Sequence, residues 1–301
     1  MTGPGGSATP QFRHGIAPVG DGIQLHYAEC GGERGRPVIL LHGWPQHWIS
    51  WRGVMPSLAE QGYRPIAVDL RGSGGSSITA SGYDKKTLAG DIRALVRHLW
   101  LDRVALVGND HGAGVAYAYA AQWPDEVSHL AVMEYWLGGF GYEKFLAATP
   151  DWHNGSNWQL VLFTLPDVAE WLLRGREREL LSWFFWHAAF KNPAVSCDDF
   201  EEYVRQYTRP GGLRAGINYY AAIWQDIEDN KALSHHKLTM PVAGIGGVAS
   251  GGTHVAESLA PVVDGQVRSI VIPEAGHWAL DENPAAVAAE LIGFLSSEVR
   301  R

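Results

Sequence analysis

The chain has 301 residues, 46% of them hydrophobic, and a net charge of −8 at pH 7, which is enough to bury a large core and suits one α/β domain with an insertion. That acidic balance, with no basic cluster in view, excludes nucleic acid or an anionic membrane as the main partner. Two widely separated cysteines, Cys30 and Cys197, make no disulfide framework and point to a reducing, cytoplasmic setting.

Residues 1–10 are rich in Gly, Pro, Ser and Thr without an apolar core, so they are expected to form a disordered tail rather than a signal peptide. Residues 24–28 read as a strand, and the unbroken apolar run 37–41 as a buried parallel one. Helical spacing follows over 50–61. The next strand, 64–68, empties into the glycine-rich turn Asp69-Leu70-Arg71-Gly72-Ser73-Gly74-Gly75-Ser76. Over 87–100 the stripe Leu88, Ile92, Leu95, Val96 and Leu99 predicts an amphipathic helix. Strands at 104–107 and 127–133 flank a small-residue helix at 113–122. From 136 to 233 the chain changes to aromatic-rich helical segments, among them 160–173, 178–190 and 198–208, which read as a helical cap inserted after the sixth strand. Strand character returns at 241–245 and 267–272, and a helix closes the chain at 285–297. The alternation predicts a mostly parallel, doubly wound sheet, with a discontinuous core of 11–135 and 234–301 and a cap of 136–233. The thirteen tryptophans follow no repeat, and no window reaches the length of an apolar membrane span.

The most informative stretch is Gly108-Asn109-Asp110-His111-Gly112 between a strand and a helix. Small residues flank the central position, as at a strand that turns abruptly into a helix and exposes one strained side chain, the nucleophile elbow. The exposed group is a carboxylate. An aspartate, with a reference pKa of about 3.9, is ionised at neutral pH and can attack a saturated carbon without a base. The bland alternative is an N-cap of the following helix.

Four motifs in order, His42-Gly43-Trp44-Pro45, Asp69 to Ser76, the elbow at Asp110, and Ala275-Gly276-His277-Trp278, make the chain resemble an α/β-hydrolase of the epoxide hydrolase branch over nearly all residues after the tail. The resemblance implies the α/β-hydrolase fold with an inserted helical cap. His277, in a glycine-containing loop after the last strand, is the candidate base; a surface-loop histidine is the alternative. Many relatives carry the orienting acid after the strand at 241–245, where this chain has Gly246-Gly247-Val248-Ala249-Ser250. Glu134, after the preceding core strand, takes the role in part of the family, and Asp264 is the outside contender. The same likeness assigns an oxyanion hole to the backbone N–H groups of Trp44 and His111.

Tyr220 matches the tyrosine of the family's cap that polarises the epoxide oxygen, though Tyr219 and Tyr220 could both simply pack a helix face. Where the family places a histidine after a tryptophan as second donor, this chain offers Gln159, whose amide hydrogen-bonds but cannot protonate; His153 or Trp158 could substitute. Trp44, Trp136, Trp158, Trp186 and Trp224, with Tyr219, are candidate walls of the substrate cavity. Fluoroacetate dehalogenases are similar but clamp a carboxylate with arginines after the nucleophile, where this chain has His111-Gly112-Ala113-Gly114. Haloalkane dehalogenases usually carry a tryptophan at the His111 position. A catalytically silent ligand receptor on the same fold is a third reading. The expectation is a cofactor-independent enzyme acting on a small epoxide and water, with no metal motif, His235-His236 being solvated residues, and a homodimer left open.

Overall fold

The computed structural model describes residues 11–147 and 157–297; the expected tail 1–10 and His153 lie outside them. The first strands are β1 (Arg13–Gly20), β2 (Ile23–Glu29), β3 (Arg36–Leu41) and β4 (Tyr63–Val68), with α1 (Met55–Glu60) before β4 and α2 (Lys85–His98) after it. Strand β5 (Val104–Asn109), helix α3 (His111–Gln122) and strand β6 (Val127–Met133) follow. Helices α4 (Trp158–Leu162), α5 (Pro166–Leu173), α6 (Glu177–His187), α7 (Cys197–Thr208), α8 (Gly212–Ala221) and α9 (Ile223–Leu233) then intervene before β7 (Val242–Gly247). The chain closes with α10 (His254–Leu259), β8 (Val267–Ile272), α11 (Ala279–Glu282) and α12 (Pro284–Leu295).

The strands form one sheet in the order β1-β2-β4-β3-β5-β6-β7-β8. The pairs from β4 onward are parallel, and β2 joins β1 and β4 antiparallel. Strands β3, β5, β6 and β7 are almost wholly buried, as central strands covered by helices on both faces must be. Strand β1 is absent from the sequence reading: it lies on an exposed edge, glycine and proline interrupt it, and only Ala17 is buried, which leaves little periodic signal.

Local chemistry explains the other differences in bounds. Helix α2 starts at Lys85 because Asp84 accepts a hydrogen bond from the Thr87 N–H, an N-cap that fixes the first turn. The helix expected over 50–61 divides into a 3-10 turn, Trp48–Trp51, and α1. The segment 160–173 divides at Pro166, which has no N–H to continue α4 and opens α5 instead.

The turn after β4 is scaffold. The Asp69 carboxylate accepts from the N–H groups of Trp48 and Gly75 at 2.8 Å each and from His26 Nδ1 at 2.7 Å. Arg71 makes a bidentate pair with Asp91 at 2.7 and 2.8 Å. These bonds hold the loop after β3 over the carboxyl ends of the strands, the edge where open α/β sheets place their sites. Among the described residues no helix is long and apolar enough to cross a membrane, and no group of His, Cys, Asp and Glu is arranged to hold a metal ion.

Candidate active site

Two adjacent parallel strands end in acidic residues with left-handed backbones. Asp110, after β5, has φ 48° and ψ −126°, and Glu134, after β6, has φ 50°. The Asp110 N–H donates to Met133 O at 2.9 Å, and the Glu134 N–H to Ile245 O at 3.0 Å, so the sheet ladder itself holds both turns. Close approach enforces the glycines around the elbow: a Cβ on Gly112 would lie 2.4 Å from the carbonyl oxygens of Leu41 and His42, and one on Gly108 would lie 2.3 Å from Gly112 O.

The Asp110 side chain makes no capping bond to its helix. Its Oδ2 accepts from the Trp44 N–H at 3.0 Å, and the His111 N–H is also within bonding reach of the carboxylate. Burial pushes the carboxyl up to about 6, against the pull of the His277 charge and of those two N–H groups. It is still mostly ionised at neutral pH.

Glu134 is buried, and the loop beyond β7 that holds no acid surrounds it with donors. Oε1 accepts from the N–H groups of Gly247 at 2.5 Å and Gly251 at 3.3 Å; Oε2 accepts from Ser250 Oγ at 2.6 Å and lies 3.2 Å from His277 Nδ1. Burial lowers the affinity of His277 for a proton, but the bond and charge of Glu134, with the charges of Asp110 and Glu282, outweigh it and leave the imidazole above its ordinary value. With Nδ1 donating to Glu134, Nε2 keeps its lone pair in the neutral ring, the arrangement a general base needs. Asp264 is exposed and precedes β8, at the opposite end of that strand from the His277 loop.

Asp110, Glu134 and His277 share one cavity of about 490 Å3, with Trp44, Trp136, Gln159 and Tyr220 also in its lining. Tyr220 is nearly buried, and its ring stands edge-on to Trp44 (5.7 Å between centroids), His111 (4.3 Å) and Phe163 (5.1 Å). Burial first, and the Asp110 charge second, raise its phenol well above its ordinary value, so it stays protonated.

Several expected wall residues lie elsewhere. The Tyr219 hydroxyl turns to the core and donates to Arg71 O, because neighbours on a helix point about 100° apart and Tyr220 takes the cavity side. Trp224 and Trp186 are 58% and 62% exposed on the outside of the insertion. Trp158 forms a layer behind the wall, against Phe163, Trp183 and Phe184. The His111 ring is buried with neither nitrogen hydrogen-bonded among the described residues, and burial, with the charges of Lys85 and His277, keeps it neutral. The sequence reading missed Tyr135, Tyr142, Phe184, His187 and Ser250, all in the lining. Tyr135 had one available signal, its place beside Glu134 at a strand end.

This sheet, with an acid at the sharp turn after its fifth strand and a histidine after its last, defines an α/β hydrolase. A family model described as the alpha/beta hydrolase fold matches residues 36–142. Soluble epoxide hydrolase from Corynebacterium sp. (strain C12) is 33% identical over 287 residues, covering 92% of this chain and 95% of that protein. The crystal structure of wild-type Cfl2 from Burkholderia cenocepacia is similar at a TM-score of 0.89 and 35% identity, covering 95% of this chain and all of that one. Ligand-free epoxide hydrolase CorEH gives a TM-score of 0.86 at 32% identity, over 95% and 99% of the two chains. The chain belongs to the α/β-hydrolase family, within its epoxide hydrolase branch, and is a hydrolase.

Proposed function

We propose that this protein is an epoxide hydrolase that opens a small epoxide to a vicinal diol through an ester on Asp110, the helical insertion serving as the cap over the site. The observation that carries this reading is the buried, protonated phenol of Tyr220 in the same cavity as Asp110 and His277. An opening epoxide becomes a basic alkoxide and calls for such a donor. The likeness to proteins named epoxide hydrolases over nearly the whole chain supports it.

In the first step the free oxygen of the Asp110 carboxylate attacks an epoxide carbon. The carbon–oxygen bond breaks, and the leaving oxygen takes the Tyr220 proton, which water later restores. In the second step His277 removes a proton from water, and the resulting hydroxide adds to the ester carbonyl. The N–H groups of Trp44 and His111, already at the Asp110 carboxylate, would hold the tetrahedral oxyanion, a contribution of roughly 10²–10³ in rate per donor. Collapse releases the second diol oxygen, which takes back the proton held by His277, and the proton left on the Asp110 carboxyl passes to water as water restores that of Tyr220, so the net reaction is epoxide plus water to diol. Glu134 keeps the imidazole oriented throughout.

Haloacid chemistry with the same aspartate fits the site less well. The described lining holds two carboxylates and no Lys or Arg, so a substrate carboxylate would meet like charge with no permanent cation to clamp it. A silent receptor would have no use for an oriented Glu134–His277 pair. The test is a panel of terminal, styrene-type and internal epoxides beside haloacids and haloalkanes, assayed for diol and for halide. Diol should dominate, and Tyr220→Phe should slow the alkylation step on the order of 10²-fold. Faster halide release by the native protein, with diol formation untouched by Tyr220→Phe, would replace this reading with dehalogenation.

A further inference from the structure

The loop that carries His277 is fastened to the insertion as well as to the core. Glu282, on α11, accepts from the N–H groups of Phe190 (2.6 Å) and Lys191 (3.0 Å) through Oε1, and from the N–H of Gly276 (2.7 Å) through Oε2. The His277 N–H itself donates to Ala188 O at 2.9 Å, and Trp278 Nε1 donates to Phe184 O at 3.3 Å. Phe184, His187, Ala188 and Ala189, at the end of α6 and just beyond it, line the cavity. The contact is tight enough to require glycine: a Cβ on Gly276 would lie 2.5 Å from Ala188 O and 2.8 Å from Phe190 N.

From this geometry we infer that Glu282 is a positioning residue: one carboxylate straps the His277 loop to residues 188–191, so ester hydrolysis depends on the seating of the insertion. The inference rests on the reading of His277 as the base for that step. One oxygen of Glu282 is spent on the turn after α6 and the other on the residue preceding His277, so displacement of the turn must pull on the histidine backbone. The strap acts on the second step alone, because Asp110 needs no base to attack. Its charge acts on the same ring. The titratable groups around His277 are Glu134 at the end of β6, Asp110 at the elbow, Glu282 on α11, His187 at the end of α6 in the same cavity, and the neutral His111 at the start of α3. Once Asp110 is esterified its charge is gone, and Glu134 and Glu282 are left to hold the imidazole's affinity for a proton.

The test is Glu282→Gln, whose amide nitrogen cannot accept an N–H, in single-turnover kinetics on the fastest epoxide of the panel. Ester formation should stay within about twofold of native while ester hydrolysis slows about tenfold or more, as for a displaced catalytic group. Because a nearby negative charge has been removed, the acid limb of hydrolysis should move to lower pH. The imidazole of His277, followed by proton NMR in the free protein, should titrate lower too. Glu282→Asp, which keeps the charge but shortens the reach, should slow hydrolysis and leave the titration near native. Gly276→Ala, which forces the two segments apart, should reproduce the step-selective loss. Equal slowing of both steps in proportion to a lower Tm, with the His277 titration unchanged, would overturn the strap and leave Glu282 a purely structural residue. Failure of the broader reading looks different: His277→Gln would then accumulate no ester, while the NMR titration would still decide whether Glu282 acts on the imidazole.

Discussion

At Asp110 and Glu134 the chain accepts a backbone conformation that costs on the order of 1–3 kcal/mol at each residue without a glycine. The return is placement: both carboxyl groups leave the carboxyl ends of neighbouring strands, one toward the cavity and one toward the histidine loop. The work they do is unequal. On the proposed mechanism Asp110 attacks unaided, whereas Glu134 acts only through His277, whose Nδ1 lies 3.2 Å away. His277→Gln should therefore form the Asp110 ester at close to the native rate and then stall. Intact-protein mass spectrometry after mixing with an epoxide should show an adduct of substrate mass that persists, against none in the native enzyme at steady state. A variant that binds substrate without accumulating the adduct would reassign the order of steps.

At the scale of elements, Tyr220, the proposed proton donor, is held by a buried ion pair that joins the insertion to the first turn of α2. Lys85 Nζ lies 2.9 Å from Asp226 Oδ2 on α9 and donates to Tyr219 O on α8 at 2.9 Å, while the Lys85 N–H donates to Asp226 Oδ1 at 2.7 Å. Both side chains are almost wholly buried. Breaking such a pair from one side leaves an uncompensated charge in a low-dielectric interior, at a cost of about 3–5 kcal/mol. Asp226→Ala should show that loss in urea unfolding, and in single turnover it should slow alkylation more than hydrolysis, since Tyr220 sits one residue beyond the anchored carbonyl. These elements also mark how far sequence carries. The meeting of Asp110 and His277 in one cavity was legible because each lies in a short motif at a strand end, and the place of Glu134 beside them because chain order left one acid in a usable position. Tyr219 was misplaced because α8 presents its two tyrosines in different directions, and Trp224 because a lone aromatic on α9 does not say which face of the helix is covered, so only packing settles which residue meets the cavity. Ser250, more than a hundred residues from the carboxylate it contacts, carried no local signal, and neither did the partners of Glu282.

Across the whole molecule, the site is purchased with stability, and pH reveals how much. The Asp110 carboxyl has an ordinary value of 3.8 and is pushed up to about 6 by burial in the fold. Between those values the folded protein binds more protons than the unfolded chain, so stability falls as pH rises through the window and the full penalty stands above it. A rise of about two units corresponds to about 3 kcal/mol. Asp110→Asn keeps the shape and tolerates the left-handed backbone while carrying no charge. It should therefore be inactive in alkylation yet more stable than the native protein at pH 8, where the native carboxyl is ionised. The gain, at most about 3 kcal/mol and several degrees in Tm, should shrink steadily from pH 6 downward and vanish near pH 4, where native Asp110 is itself protonated. Paired urea titrations of the two proteins from pH 4 to pH 8 give the comparison directly. A stability difference that is flat across that range would mean that the buried carboxylate is fully compensated by the N–H groups of Trp44 and His111, and that the elbow holds its charge at no cost to the fold.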